Sequence, residues 1–174
     1  MVFKDLLRLD AEYSTKIRIP DHKRWLKTAA AIFAHSGDSW FWGVALIALY
    51  LLGPRAWQTQ ITLLFLGIFF TAVTVLILKF SIKRPRPEGE WGQVYRSSDP
   101  HSFPSGHAAR AFMLSVIMLL TGFWGIGLIM VVWALLVVIS RVSLGVHYFS
   151  DVVVGGMVGV LMGTLAVGVF ELIV

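Results

Sequence analysis

The stretch AFMLSVIMLLTGFWGIGLIMVVWALLVVIS, residues 111–140, contains no charged side chain. As one straight helix it would be about 45 Å long at 1.5 Å per residue, whereas the hydrocarbon core of a bilayer is about 30 Å thick. Its middle, TGFWGIG at residues 121–127, holds three glycines, which favour a turn. We therefore expect two antiparallel transmembrane helices, over about residues 104–121 and 125–141.

The composition of the whole chain is that of an integral membrane protein. Of its 174 residues, 57% are hydrophobic and only 14% are charged, and the mean hydropathy is +0.76. A soluble domain carries roughly 25% charged residues. The chain has no cysteine, which excludes disulfides and thiolate metal sites. The net charge is +5, but the basic residues form no stripe with interleaved aromatics, which argues against a nucleic-acid partner.

Three further apolar stretches extend the expected bundle. Residues 61–78 carry no charge and are long enough to cross a bilayer. Residues 39–52 are shorter, and they suffice if the aromatic cluster at residues 40–42 lies at headgroup level. The last span, about residues 149–172, contains glycines that permit close helix packing. The fold class expected is all-α: a polytopic membrane helix bundle of about five transmembrane helices.

The remaining segments are more polar. Residues 1–36 contain two amphipathic stretches, which are typical of helices lying on a membrane surface. Residues 80–103 are polar and rich in proline and glycine, and we expect an exposed loop. The chain is therefore predicted to be a single domain over residues 1–174, with interfacial helices at 1–36 and a transmembrane core at 37–174.

The expected hairpin brings distant polar residues to one membrane face. At 1.5 Å per residue, His107 and Arg141 lie about 22 and 24 Å from the turn, on the same side. The 61–78 helix brings Lys79 to that side, and the following loop returns there. Three groups converge: Lys79 with Arg86, Ser105 to His107, and Arg141 with His147 and Asp151.

This convergence favours an anion site. Three of the residues are cations, and Asp151 is the only acid expected to face them. Phosphate suits the guanidinium fork best. Ser105 and Gly106 add a helix start, where backbone N–H groups point at an anion. A single basic residue near a span end is more often an anchor that reaches the headgroups, and Arg110 is interpreted this way, with contact to a second phosphate as the alternative.

The histidines indicate what such a site could do. His147 and Asp151 are four residues apart, which on a helix would place them on one face. An aspartate at one ring nitrogen leaves the other free as a nucleophile, and His107 could then act as a general acid. Alternatively, these three residues could bind a metal, but the nearby cations would repel it. The other histidines are expected at the interface, at a helix cap or near the entrance: His22, His35 and His101.

The residues also match a known family pattern in three parts. The parts are Lys79, six residues, then Arg86 and Pro87; Pro104 to His107; and Ser140, Arg141, five residues, His147, three residues, Asp151. This pattern resembles the signature of the type 2 phosphatidic acid phosphatase (PAP2) family, which shares its site with vanadium haloperoxidases. The resemblance covers about residues 61–170, with every spacing kept.

The resemblance implies metal-independent hydrolysis of a lipid phosphate or pyrophosphate through a phosphohistidine, without a cofactor. It implies that His147 attacks phosphorus, that Asp151 orients it and that His107 protonates the leaving group. The phosphoryl oxygens would be held by Lys79, Arg86, Ser105, Gly106 and Arg141. Implied substrates are lipid A 1-phosphate, undecaprenyl pyrophosphate or phosphatidylglycerophosphate. A lipid phosphotransferase and a non-catalytic lipid-binding or flipping protein are the alternatives.

The resemblance also implies a place in the cell. Members of this type lie in the bacterial inner membrane as multi-pass proteins, with the site facing the periplasm or the outside. Many have six spans, whereas here surface helices stand in place of the first. The basic residues lie mostly on the site's side of the membrane, a distribution that by the positive-inside rule favours the cytoplasm.

Overall fold

The computed structural model describes residues 2–89, 91 and 99–173 and is built from helices. They are α1 (Val2–Lys16), α2 (Arg24–Ser36), α3 (Ser39–Leu52), α4 (Gln58–Ile82), α5 (Gly106–Leu120), α6 (Trp124–Ser143) and α7 (Phe149–Ile173), with a 3₁₀ turn at Arg55–Trp57. In these described ranges the only pairing of extended backbone is one isolated bridge, between Pro85 and His101. The expected all-α fold class is confirmed.

Within the described part of the chain, three helices are long and apolar enough to cross a membrane: α4 together with the preceding turn, α6 and α7. Helices α3 and α5 are apolar but shorter. In the most apolar window of each long helix only 33% of the residues are buried, so apolar side chains cover much of the outside. A surface of this kind suits lipid rather than water. The count of five spans stays a prediction, because two of the five helices are short.

The hairpin expected in the 111–140 stretch is confirmed. Helix α5 ends at Leu120 and α6 begins at Trp124. Gly122 has a φ of +88°, a left-handed conformation that glycine adopts without strain. The Gly122 N–H donates to the Leu119 carbonyl and the Phe123 N–H to the Met118 carbonyl, which together form a Schellman motif. The two helices are therefore antiparallel, and the start of α5 and the end of α6, which carry the polar residues, lie on the same side.

Glycines bring α5 and α7 into backbone contact. A Cβ atom added at Gly159 would lie 2.2 Å from the Ala109 carbonyl oxygen, and one at Gly155 would lie 2.5 Å from the Ser105 carbonyl oxygen. Only glycine permits this approach. Helix α5 is the most buried helix, with Met113 fully covered. The contact holds the start of α5 against the second and third turns of α7.

The amphipathic helices α1 and α2 lie against this bundle. The Ser14 hydroxyl of α1 accepts a hydrogen bond from the Phe149 N–H at 2.8 Å, and the Ile19 N–H donates to the Ser143 carbonyl at 2.9 Å. The indole of Trp133 in α6 donates to the Ser36 hydroxyl at the end of α2. The division into an interfacial part and a transmembrane core stays a prediction.

The expectation that residues 80–103 form an exposed loop is wrong at both ends of the segment. Helix α4 continues to Ile82, and Arg86 and Ser102 are buried. The Ser102 N–H donates to the Arg84 carbonyl at 2.8 Å, and its hydroxyl donates to the Pro85 carbonyl at 3.1 Å. These bonds join the two ends of the segment. Residues 92–98 lie outside the described residues.

Candidate active site

A cavity of about 510 Å³ opens beside the first turn of α5. The titratable residues of its polar wall are Asp38, Lys79, Asp99, His107, Arg110 and His147. Its apolar wall comes mainly from α4 and the start of α3, and includes Trp40, Ile68, Val75 and Leu76. The cavity therefore offers charge on one side and hydrocarbon on the other, as an amphiphilic ligand requires.

The structure brings the eight expected site residues together in two layers. Four of them line the cavity: Lys79, Gly106, His107 and His147. The other four lie behind it and are buried: Arg86, Ser105, Arg141 and Asp151. Arg141 is 1% exposed, and its charge acts on both His107 and His147. The convergence expected from the hairpin is therefore present.

His147 and Asp151 are neighbours, but not for the expected reason. Helix α7 begins at Phe149, so His147 precedes the helix and shares no helical face with Asp151. Its position comes from the backbone instead, because its N–H donates to the Arg141 carbonyl at 3.2 Å. The distance from His147 Nδ1 to Asp151 Oδ2 is 3.5 Å, slightly longer than a good hydrogen bond.

The other ring nitrogen of His147 faces Arg86. The distance from Nε2 to Arg86 Nη1 is 3.3 Å, and a guanidinium can only donate, which assigns Nε2 as the acceptor and Nδ1 as the protonated nitrogen. Burial, and then the positive charges of Arg141, Arg86 and Lys79, lower the pKa of His147 well below its ordinary value. The ring is therefore neutral near pH 7, with a free electron pair directed at the cationic cluster.

Asp151 is held by a residue that the sequence did not single out. Arg84 Nη1 donates to Asp151 Oδ1 at 2.8 Å, while the Tyr148 N–H donates to Oδ2 at 2.9 Å. The other end of the guanidinium, Nη2, donates to Asp10 of α1 at 2.7 Å, and its Cζ atom lies 4.0 Å from the centre of the Tyr148 ring. The N-terminal helix is thus linked to Asp151. In sequence, Arg84 differs in no visible way from a surface cation of the same loop.

Asp151 is not the only acid near the cations, contrary to expectation. Asp99 Oδ2 accepts hydrogen bonds from Lys79 Nζ and, at 2.7 Å, from Arg86 Nη2. Lys79 also donates to the His101 carbonyl at 3.0 Å. Burial alone would raise the pKa of Asp99, but the hydrogen bond from Lys79 and the charges of Lys79 and Arg86 outweigh it and lower the pKa. The ionised Asp99 therefore forms ion pairs with both cations.

A second unexpected acid contacts His107. The acid is Asp38, which lies in the short segment between α2 and α3. The distance from His107 Nε2 to Asp38 Oδ1 is 2.6 Å. Arg110, one turn further along α5, is buried and donates to the Gly37 carbonyl. The interpretation of Arg110 as an anchor that reaches the headgroups is therefore wrong, since its guanidinium is directed inward.

The start of α5 differs in part from the expectation. Ser105 caps the helix through its hydroxyl, which accepts from the Ala108 N–H at 3.5 Å. Its own N–H donates to the Asp151 carbonyl at 2.9 Å, so this group is not directed at an anion. Gly106 and His107 follow in the first turn, where N–H groups have no partner within the helix. The N–H groups of Gly106 and His107 are therefore the ones left for an anion, and their role in binding it stays a prediction.

The histidines do not form one metal-ligand set. Among residues 2–89, 91 and 99–173, no group of three or more His, Asp or Glu side chains is arranged to hold a metal ion. Each cavity histidine instead has its own carboxylate, Asp38 for His107 and Asp151 for His147. This arrangement suits two different acid–base roles.

Comparison with known proteins agrees with the pattern of the site. The family model of the PAP2 superfamily matches residues 60–173, which include all eight expected site residues. The chain belongs to the PAP2 superfamily. It is thereby a multi-pass membrane enzyme of the PAP2 phosphatase type.

Two solved PAP2-type structures are similar in fold. One is LpxE from Aquifex aeolicus, with a TM-score of 0.72 and 27% identity, covering 90% of this chain and 93% of the other. The other is the first transmembrane PAP2-type phosphatidylglycerolphosphate phosphatase from Bacillus subtilis, with a TM-score of 0.76 and 26% identity, covering 98% of this chain and 88% of the other. The similarity extends beyond the family match to the N-terminal helices.

Proposed function

We propose that this PAP2 chain hydrolyses a lipid phosphate or pyrophosphate through a phosphohistidine on His147, without a metal. The observation that carries the proposal is the state of His147. It is a neutral, buried imidazole with Asp151 at Nδ1 and with Nε2 directed at Arg86. A histidine in this state is a competent nucleophile, and Arg86 lies where the attacked phosphoryl group would be held.

The reaction proceeds in two steps. In the first, Nε2 of His147 attacks phosphorus, the bond from phosphorus to the leaving oxygen breaks, and protonated His107 donates its proton to that oxygen. In the second, water gives a proton to His107 and attacks phosphorus. The P–N bond then breaks, which releases inorganic phosphate and restores both histidines.

The cations supply the stabilisation of the transition state. Lys79, Arg86 and Arg141 surround the phosphoryl position, and the N–H groups at Gly106 and His107 add backbone donors. Because Asp99 pairs with Lys79 and Arg86, an entering phosphate competes with it for these two cations.

The apolar wall supports a lipid substrate. Leu76 and Trp40 line the cavity and are also 52% and 69% exposed, on the surface that lipid covers. An acyl or prenyl chain can therefore extend outward while the phosphate enters. The candidate substrates are lipid A 1-phosphate, undecaprenyl pyrophosphate and phosphatidylglycerophosphate. Arg110 in the polar wall favours lipid A 1-phosphate and undecaprenyl pyrophosphate, because a buried guanidinium can bind a second anionic group of the substrate.

The proposal includes a location in the bacterial inner membrane with the cavity facing the periplasm. The site cations are explained by the phosphate they bind, so they do not count as topology signals of the positive-inside kind. Labelling of a single cysteine at Lys83 from outside intact cells, with an impermeant reagent, tests the orientation. Labelling only after the cells are broken would contradict it.

The activity is tested by phosphate release from each of the three lipids by detergent-purified protein, with a chelator present. We expect release by the wild type and by the matched variant His22→Ala, and a loss of at least about 10³-fold in His147→Ala. Continued release by His147→Ala would overturn the mechanism. Transfer of the phosphoryl group to an added lipid alcohol, without free phosphate, would identify a phosphotransferase.

A further inference from the structure

Asp38 lies between two histidines, His107 in the cavity wall and His35 at the surface. Its Oδ1 is 2.6 Å from His107 Nε2, and its Oδ2 is 3.1 Å from His35 Nδ1. The side chains of Asp38 and His107 are 18% and 16% exposed, whereas that of His35 is 52% exposed. Both carboxylate oxygens are thus engaged, one toward the cavity and one toward the surface.

Asp38 is ionised in this setting. Burial alone would raise the pKa of Asp38, but its hydrogen bonds and charge interactions with His107 and His35 outweigh burial and hold the pKa well below the ordinary value. A carboxylate in contact with an imidazole favours the protonated form of the ring.

The position of Asp38 is also fixed by its backbone. A Cβ at Gly37 would lie 3.3 Å from His107 Cδ2, so the chain passes directly against the edge of the ring that bears Nε2. The Gly37 carbonyl accepts from Arg110, which ties this segment to α5. The carboxylate itself makes no capping hydrogen bond to α3, so its contacts serve the two histidines.

The surroundings of His107 show why it needs a carboxylate. Burial acts against a positive ring, and so do two guanidinium groups, Arg141 from α6 and Arg110 from its own helix. A general acid must nevertheless carry a proton when the substrate arrives. The other titratable groups of the cavity wall lie on α4, on the 83–105 segment and before α7: Lys79, Asp99 and His147. Among the acids that the structure describes, Asp38 is the one in direct contact with the ring.

We propose that Asp38 is a positioning residue for His107. Its carboxylate holds the ring through Nε2–H and stabilises the imidazolium that protonates the leaving oxygen from Nδ1. The proposal rests on the proposed function, since it assigns a partner to the general acid of that reaction. The site then consists of two histidine–carboxylate pairs, His147 with Asp151 for attack and His107 with Asp38 for departure.

The kinetic test compares two phosphomonoesters that differ in leaving group. Dioctanoyl phosphatidic acid releases an alcohol that needs a proton, whereas para-nitrophenyl phosphate releases a stable phenolate that needs little help. We expect Asp38→Asn to lower kcat for the lipid by about 10²-fold or more, within the usual range for general-acid catalysis, and to affect the aryl ester far less. In Asp38→Asn, the pH at which kcat for the lipid falls on the alkaline side should be lower by about 1–3 pH units.

Two controls separate this role from a structural one. Asp21→Asn makes the same exchange in an exposed aspartate paired with Lys27 and should leave both rates unchanged. In a His107→Ala background, Asp38→Asn should add little further loss, because residues that act as a unit are not additive. Equal losses on both esters, or a full additional loss in the His107→Ala background, would overturn the proposal.

A measurement without turnover keeps the inference separate from the proposed function. If the wild type releases phosphate from neither ester, the proposed function fails for these substrates, and the titration of His107 decides about Asp38. Imidazole nitrogen NMR, assigned with His107→Ala, should show His107 titrating about 1–3 pH units lower in Asp38→Asn than in the wild type or Asp21→Asn. An unchanged titration would refute the role of Asp38.

Discussion

The contact between α5 and α7 predicts that a single methyl group at Gly159 will impair the enzyme. A Cβ at this position would lie 2.2 Å from the Ala109 carbonyl oxygen and 3.0 Å from the Met113 nitrogen. Both are backbone atoms of α5, so no side-chain rotation can relieve the overlap. Since ordinary contacts are near 3.5 Å, the two helices must separate locally by about 1 Å.

The magnitude follows from two opposing effects. Alanine is favoured over glycine in a helix by about 1 kcal/mol, whereas overpacking a filled interior costs about 1–3 kcal/mol. We therefore expect Gly159→Ala to lower the free energy of unfolding by up to about 2 kcal/mol. The larger effect falls on activity, because α5 carries His107 and α7 carries Asp151, and a displacement of about 1 Å can cost about 10²-fold in rate.

Gly168→Ala is the matched control. Gly168 lies in the same helix, and nothing lies within 4 Å of its added Cβ. This variant should keep full phosphate release and show an equal or higher Tm in the same detergent. The assay is phosphate release from the best lipid of the panel together with thermal unfolding. Equal activity and equal Tm in the two variants would refute the idea that close backbone packing positions the site.

Three further predictions concern charges. Arg84→Met should lower Tm and phosphate release together, because it breaks the ion pair with Asp151, which is 0% exposed. Breaking a buried ion pair typically costs about 3–5 kcal/mol of stability. An unchanged Tm would contradict this prediction. Asp99→Asn should lower the inhibition constant of inorganic phosphate by up to about fivefold, because the partly exposed Asp99 carboxylate no longer competes with phosphate for Lys79. Weaker inhibition by phosphate would contradict this prediction. The lowered pKa of His147 means that the ring protonates, and activity is lost, only as pH falls below about 6.5; an NMR midpoint at or above that value would refute the assigned state.

Much of the fold could be predicted because the information is local. An uncharged run longer than a bilayer, with Gly122 at its middle, leaves a hairpin as the practical solution, and that hairpin places His107 and Arg141 on one side. The spacing of the three motif parts adds the residues that the family match then covers. The pairing of His147 with Asp151 was expected from a helical face, whereas a loop bonded to the Arg141 carbonyl produces it.

The sequence by itself determined the membrane bundle, the hairpin and the family, because hydropathy, chain length and motif spacing act along the chain. Only the tertiary structure decided the ionic partners of the site: Asp38 on His107, Asp99 on Lys79, and Arg84 between Asp10 and Asp151. Asp38 and His107 are 69 positions apart, and Asp10 and Arg84 are 74 apart. No local pattern encodes such pairs. They form because packed helices exclude water, and a buried charge then requires an opposite charge or a hydrogen-bond partner close by.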